Sequence, residues 1–191
     1  WTIPKSTPGN VQMGQIMTWL NSHLTANTIV CNGAGNFSSW ANRFYRYQGY
    51  GTMQGPTSGT MGFGLPAALA AKLEYPDRTV ISFSGDGVFL MTGQEFGTAI
   101  QYGANIIVLV GNNSMYGTIR MHQERDYPGR ISGTELVNPN FSAYAEAFGG
   151  FGAIVKKTDD FAPAFMAAEA SKKPSVIEIQ IDPDAISPST T

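Results

Sequence analysis

The stretch Asn105-Ile-Ile-Val-Leu-Val110 runs apolar almost without a break. A strand of that kind offers no polar face to water, so a layer must cover it on each side. Strands are predicted over Thr28–Cys31, Thr79–Phe83, Asn105–Val110, Gly152–Val155 and Ser175–Ile181. Helical spacing separates them, over Val11–Leu24, Phe63–Glu74, Gly93–Tyr102, Phe141–Phe148 and Asp160–Ala170. The third of these helices opens on Thr92-Gly-Gln-Glu95, the spacing of a capping box. Alternation of this sort predicts an α/β fold: a doubly wound, mainly parallel sheet in a three-layer α/β/α sandwich.

Residues 1–9 read as a linker from a preceding domain, residues 10–182 as the domain itself, and 183–191 as a flexible polar tail. The chain opens on Trp1 and reads as cut from a longer polypeptide. Its formal net charge is −2 with no basic tract, which disfavours nucleic acid and anionic membrane surfaces as partners. No apolar run reaches the length of a membrane span, and no secretory leader is visible. The one cysteine, Cys31, sits in an apolar run. It excludes an internal disulfide, reads as a buried core residue, and fits a reducing, cytoplasmic compartment.

In open α/β sheets, ligands bind beyond the carboxyl ends of the strands. Three junctions there are rich in glycine and asparagine: Asn32–Phe37, Ser84–Val88 and Gly111–Gly117. A fourth glycine-rich stretch, Gly49–Gly64, leads into a helix. Within Ser84-Gly-Asp-Gly-Val88, glycine lets the backbone turn tightly and approach a ligand, and the helix that follows would attract an anion. Asp86 would repel that anion unless a divalent cation stood between them. Mg²⁺ bridges carboxylate and phosphate oxygens in this way, and the amide oxygens of Asn112 and Asn113 are further hard ligands. Residues 88 to 111 separate the two loops, enough for one helix and one returning parallel strand. That spacing sets both loops side by side at one end of the sheet.

The Gly85-Asp-Gly87 pattern followed after 24 residues by Asn112-Asn113 resembles the thiamine-diphosphate motif of thiamine-dependent enzymes. Gly59-Thr-Met-Gly-Phe-Gly-Leu-Pro-Ala-Ala-Leu69 resembles the stretch that receives the aminopyrimidine in acetolactate synthases. Gly35-Asn-Phe-Ser-Ser-Trp-Ala-Asn-Arg-Phe-Tyr45 resembles their diphosphate-contacting loop and helix. The likeness runs over roughly residues 10 to 182 and implies the diphosphate-binding, C-terminal domain of an acetolactate-synthase-like enzyme. It implies thiamine diphosphate and Mg²⁺ as cofactors, a 2-keto acid as substrate, and decarboxylation or carboligation as the reaction. Asp86 and Asn113 would ligate Mg²⁺ by side chain and Met115 by its backbone carbonyl, while Asn112 braces the loop. Gly85 shapes the turn, and Gly87, Val88 and Tyr116 would turn backbone N–H groups to the diphosphate. Gly35, Asn36 and Phe37 would close over it. The Gly59 carbonyl would accept from the 4′-amino group, and Met61 would wedge between the cofactor's rings, so these two carry the catalytic roles on this chain. The activating glutamate belongs to a pyrimidine-binding domain of the same or a partner subunit. The resemblance therefore implies a homo-oligomeric parent and an isolated chain without activity.

Met121 and His122 stand where acetolactate synthases carry Gln-Trp. Asn113–Arg120, with Tyr116-Gly-x-x-Arg120, is more similar to benzoylformate decarboxylase. A non-oxidative decarboxylase of that type is one alternative, and a non-catalytic module that keeps the cofactor fold is another. Ile119, Arg120 and His122 would lie near a substrate by the same resemblance. By spacing alone, Arg120 pairs with Glu124 one helical turn on, and His23 is structural. Tyr45, Tyr47 and Tyr50 form an aromatic cluster suited to packing or a subunit interface. A nicotinamide-type fingerprint at Gly33-Ala-Gly35 fails, because Ser38 stands where its third glycine belongs.

Overall fold

A computed structural model describes residues 2–188, so residue 1 of the expected linker and residues 189–191 of the expected tail lie outside the described residues. Six strands form one sheet: β1 (Ile29–Asn32), β2 (Met53–Gln54), β3 (Val80–Gly85), β4 (Ile107–Asn112), β5 (Phe151–Val155) and β6 (Ser175–Gln180). Their order is β2-β1-β3-β4-β6-β5, and every pairing is parallel. The eight helices are α1 (Met13–His23), α2 (Ser38–Phe44), α3 (Gly64–Glu74), α4 (Asp86–Thr92), α5 (Glu95–Gln101), α6 (Gly117–Asp126), α7 (Phe141–Ala147) and α8 (Phe161–Ser171).

Two apolar layers flank the sheet, as its unbroken strands require. One joins α1, α2 and α8 to Ile81, Phe83, Ile107, Leu109, Ile177 and Ile179. The other joins α3, α5 and α7 to Ile29, Val80, Val108, Val110 and Val176. Alternate residues of the same strands supply the two layers, as a pleated strand dictates. Cys31 is fully buried in the second layer, where burial pushes its thiol pKa up to about 12.

Three local readings change. The capping box at Thr92 does not form. Thr92 ends α4 and donates its hydroxyl to Gly62 O, while Glu95 accepts from Thr98 within α5. The predicted helix over Gly93–Tyr102 therefore starts two residues later, and α4 is a separate element before it. The ends of the domain also pack. Ile3 lies against the first apolar layer and Thr7 is buried. At the other end Ala185 and Ser187 are buried, so residues 183–188 follow the body of the fold rather than leaving it as a loose tail. No helix among the described residues is long and apolar enough to cross a membrane.

Candidate functional site

The carboxyl ends of β1, β3, β4 and β6 open onto one cleft of about 270 Å³. All twelve residues named from the sequence as cofactor contacts line it: Gly35, Asn36, Phe37, Gly59, Met61, Gly85, Asp86, Gly87, Val88, Asn113, Met115 and Tyr116. Trp40, Ile119, Ile181, Ala185 and Ile186 join them. Among the described residues, Asp86 is the only charged side chain on the cleft wall.

The glycines around Asp86 serve a purpose different from the expected one. Neither has a left-handed backbone. They are small because aromatic rings press on them. A Cβ at Gly85 would stand 2.8 Å from the Phe37 ring, and one at Gly87 would stand 2.6 Å from the Tyr116 ring. Phe37 arrives from the β1–α2 loop and Tyr116 from the loop after β4, so Asp86 is clasped between two neighbouring loops. Val88 is buried beneath the first of them, where a Cβ on Gly33 would meet its Cγ1 at 2.5 Å.

Asp86 is itself buried, at 3% exposure. Burial holds its carboxyl above the ordinary aspartate range, and hydrogen bonds from Gly87 N, Asn138 and the backbone of Ser114 and Met115 oppose that rise. Gly87 N donates to Asp86 Oδ1 at 2.8 Å, and Asn138 Nδ2 donates to Asp86 Oδ2 at 2.8 Å. The carboxylate is thus oriented before any ligand arrives.

The loop after β4 is held from behind. Asn112 Nδ2 donates to Glu178 Oε1 at 2.9 Å, and Asn112 Oδ1 accepts from Ser114 N at 3.1 Å. Ser114 is left-handed with φ 56°, a strained state for a residue with a side chain, and the Asn112 carbonyl holds it there. Asn112 therefore braces the loop, while the neighbouring Asn113 lines the cleft. The Met115 carbonyl accepts from Gly117 N at 3.0 Å, which leaves its second lone pair. Residues 114–116 pair with 134–136: Tyr116 N donates to Thr134 O at 2.8 Å and Leu136 N to Ser114 O at 2.9 Å. This corrects one expectation. The Tyr116 N–H is committed to Thr134 and does not face the cleft.

Helix α6 has no buried residue, yet it bounds the site. Asn36 N donates to Thr118 Oγ1 at 3.0 Å, so the β1–α2 loop is tied to the first turn of α6. Ile119 reaches the cleft, but Arg120 and His122 do not line it. Arg120 does not pair with Glu124. Its guanidinium lies 3.4 Å from Met115 Sδ and 3.9 Å from Asp184. His23 sits far from the site, 2.8 Å from Glu169 and stacked on Trp19.

Motif reading missed Trp40, Ile181, Ala185 and Ile186 on the cleft wall, and Asn138 and Glu178, which bond to Asp86 and Asn112 from behind it. Glu178 carried a signal, being the one charge in an apolar strand. Asn138 carried none, since the fold alone brings it to Asp86.

The donor set suits a hard cation and a phosphorylated ligand. Carboxylate, amide and carbonyl oxygens converge, and no group of three or more His, Cys, Asp or Glu residues among the described residues offers a softer site. With a negative side chain on its wall, the cleft favours a cation between Asp86 and any phosphate.

Residues 33–179 match the family described as thiamine pyrophosphate enzyme, C-terminal TPP binding domain. The acetolactate synthase large subunit of Corynebacterium glutamicum is 34% identical over 186 residues, covering 93% of this chain and 30% of that protein. That of Parasynechococcus marenigrum is 34% identical over 160 residues, covering 83% of this chain and 26% of that protein. The mitochondrial acetolactate synthase catalytic subunit of Saccharomyces cerevisiae is 32% identical over 183 residues, covering 93% and 27%. The chain thus spans 26–30% of the length of these relatives.

Proposed function

The chain belongs to the thiamine pyrophosphate enzymes, as a C-terminal TPP binding domain, and from that premise we propose that it holds thiamine diphosphate through Mg²⁺ in a 2-keto-acid carboligase of the acetolactate synthase type. The observation that carries this reading is the convergence of Asp86, Asn113 and Met115 on one glycine-walled cleft whose only charge is negative.

In this reading Asp86 and Asn113 hold Mg²⁺ by side-chain oxygen and Met115 by its free carbonyl lone pair. Gly87 and Val88, at the start of α4, face the diphosphate, and Gly35, Asn36 and Phe37 close its other side. Thiamine diphosphate supplies the electron sink for carbon–carbon bond cleavage in a 2-keto acid. Met61, on the cleft wall, would pack against the cofactor's rings. The Gly59 carbonyl, on a left-handed backbone with φ 66°, would accept a hydrogen bond from the 4′-amino group. Phe37, Trp40, Ile119 and Ile186 give the cleft an apolar wall that excludes water from the reacting end. Among the described residues Asp86 and Tyr116 are the titratable side chains of the cleft wall, and in this reading the activating acid comes from a further domain or a partner subunit.

Calorimetric titration of the chain with thiamine diphosphate, with and without Mg²⁺, tests the proposal. Binding that requires Mg²⁺ and is lost in Asp86→Ala is expected. An Asp86→Ala variant with unchanged affinity overturns the metal assignment.

A further inference from the structure

Asn138 stands in the loop before α7, outside every motif named above and off the cleft wall. Its amide nitrogen donates at 2.8 Å to Asp86 Oδ2 and at 2.8 Å to Asn112 Oδ1. Both of its hydrogens are spent on the loops that follow β3 and β4. The other end of the amide is left out, because Asn138 Oδ1 is buried with no donor. A buried acceptor without a partner is costly, and packing alone gives no reason to keep one. Turning the amide over would set its oxygen against the Asp86 carboxylate and the Asn112 carbonyl. Negative charge on Asp86 therefore dictates which way the amide faces. Pro139 follows directly and confines residue 138 to extended backbone, which limits how far the amide can swing.

The bonds continue inward. Asn112 Nδ2 donates to Glu178 Oε1, and Glu178 Oε2 accepts from Phe141 N at 3.1 Å, at the start of α7. Asp86, Asn138, Asn112 and Glu178, from four separate parts of the chain, form one connected line from the cleft wall into the sheet. At its outer end, Asp86 Oδ1 takes the Gly87 N–H and Oδ2 takes Asn138. The backbone of Ser114 and Met115 also approaches this carboxylate, but Asn138 is the one side chain that bonds to it.

We propose that Asn138 is a positioning residue for Asp86, fixing the rotation of its carboxylate before a cation binds. The inference rests on the cofactor reading of the cleft. Asn138 touches neither cation nor cofactor and acts only through Asp86 and Asn112.

The test compares Asn138→Ala with Asn140→Ala in the full chain. Asn140 caps α7 by accepting from Ala143 N at 2.9 Å and does not contact Asp86. Thiamine diphosphate binding is followed by calorimetry across a Mg²⁺ series, and thermal midpoints are taken without metal. Both variants lower the midpoint. Only Asn138→Ala raises the Mg²⁺ concentration needed for half-maximal binding, by about tenfold or more, as expected when a ligand loses its orienting partner. A Mg²⁺ requirement equal to wild type in Asn138→Ala, or raised as much in Asn140→Ala, refutes the positioning role. A second measurement needs no cofactor: the ¹⁵N-detected side-chain amide signals of Asn138 in the free chain move in Asp86→Asn. Signals that stay in place refute the pairing. A wild-type chain that binds no thiamine diphosphate, yet whose Asn138 amide answers to Asp86→Asn, refutes the cofactor reading and supports the pairing.

Discussion

Asp86 sits buried at a cost to the ligand-free fold. Its carboxyl is held above the ordinary value of 3.8 because burial outweighs the hydrogen bonds made to it. Between that value and the raised one, the folded chain keeps a proton that the unfolded chain has lost. The contribution of Asp86 to stability therefore falls as pH rises through that window. Thermal midpoints of wild type and Asp86→Asn, measured without Mg²⁺ from below pH 3.8 upward, should diverge in that sense, with wild type losing ground as pH climbs. Parallel curves would contradict the burial argument. A cation needs the ionised form, so Mg²⁺ affinity should weaken as pH falls through the same window. At this scale the sequence was partly legible. Gly85-Asp-Gly87 stood out because three residue types with strong local meaning sit together. The reason for its glycines was not legible, since it lies in the rings of Phe37 and Tyr116, which come from other loops. Asn138 was invisible for the same cause: its meaning depends on a contact across 52 residues of sequence.

Among the elements, strands buried on both faces announced themselves. β3, β4 and β6 are unbroken in burial from their first residue through their fifth, and their apolar runs gave their positions to within two residues. β2 has only two residues, both exposed, and leaves no periodic trace. Helix α6 buries nothing, so no apolar stripe marks it, although its Thr118 and Ile119 reach the site. Glu178 shows how an element can carry the site from a distance. It lies in the middle of β6, buried at 3%, and receives Asn112 and the first N–H of α7. Glu178→Leu removes both acceptors and strands one buried and one half-buried donor, which costs about 2 kcal/mol. Urea unfolding should register that loss, and Glu178→Gln, which keeps an acceptor oxygen, should recover part of it. A Leu variant as stable as wild type would mean that the loop after β4 is braced by something else.

For the molecule as a whole, the doubly wound plan followed from alternation alone, and the structure sharpens "mainly parallel" to wholly parallel. On the proposed reading, the chain carries part of a reaction site. Among the described residues its cleft offers Asp86 and Tyr116 as titratable side chains, and the chain spans 26–30% of these relatives' length. Supplied with thiamine diphosphate, Mg²⁺ and pyruvate, the isolated chain should release no carbon dioxide beyond the cofactor's own background. The longer parent should do so, and product analysis with pyruvate and with an aryl keto acid would separate carboligation from simple decarboxylation. Turnover by the isolated chain would show that the activating group is already present. The sheet order has a further consequence, in chain entropy. Ile81 pairs with Ile107 across one short crossover, whereas Ile107 pairs with Ser175 across a loop more than twice as long. Each doubling of loop length adds about 0.6 kcal/mol to closure. The β3–β4 crossover, which joins Asp86 to Asn113, therefore closes at the smaller entropic penalty, and the strand bearing Glu178 joins at the larger one. Local closure assembles the wall that holds Asp86 and Asn113, and long-range closure locks it from behind.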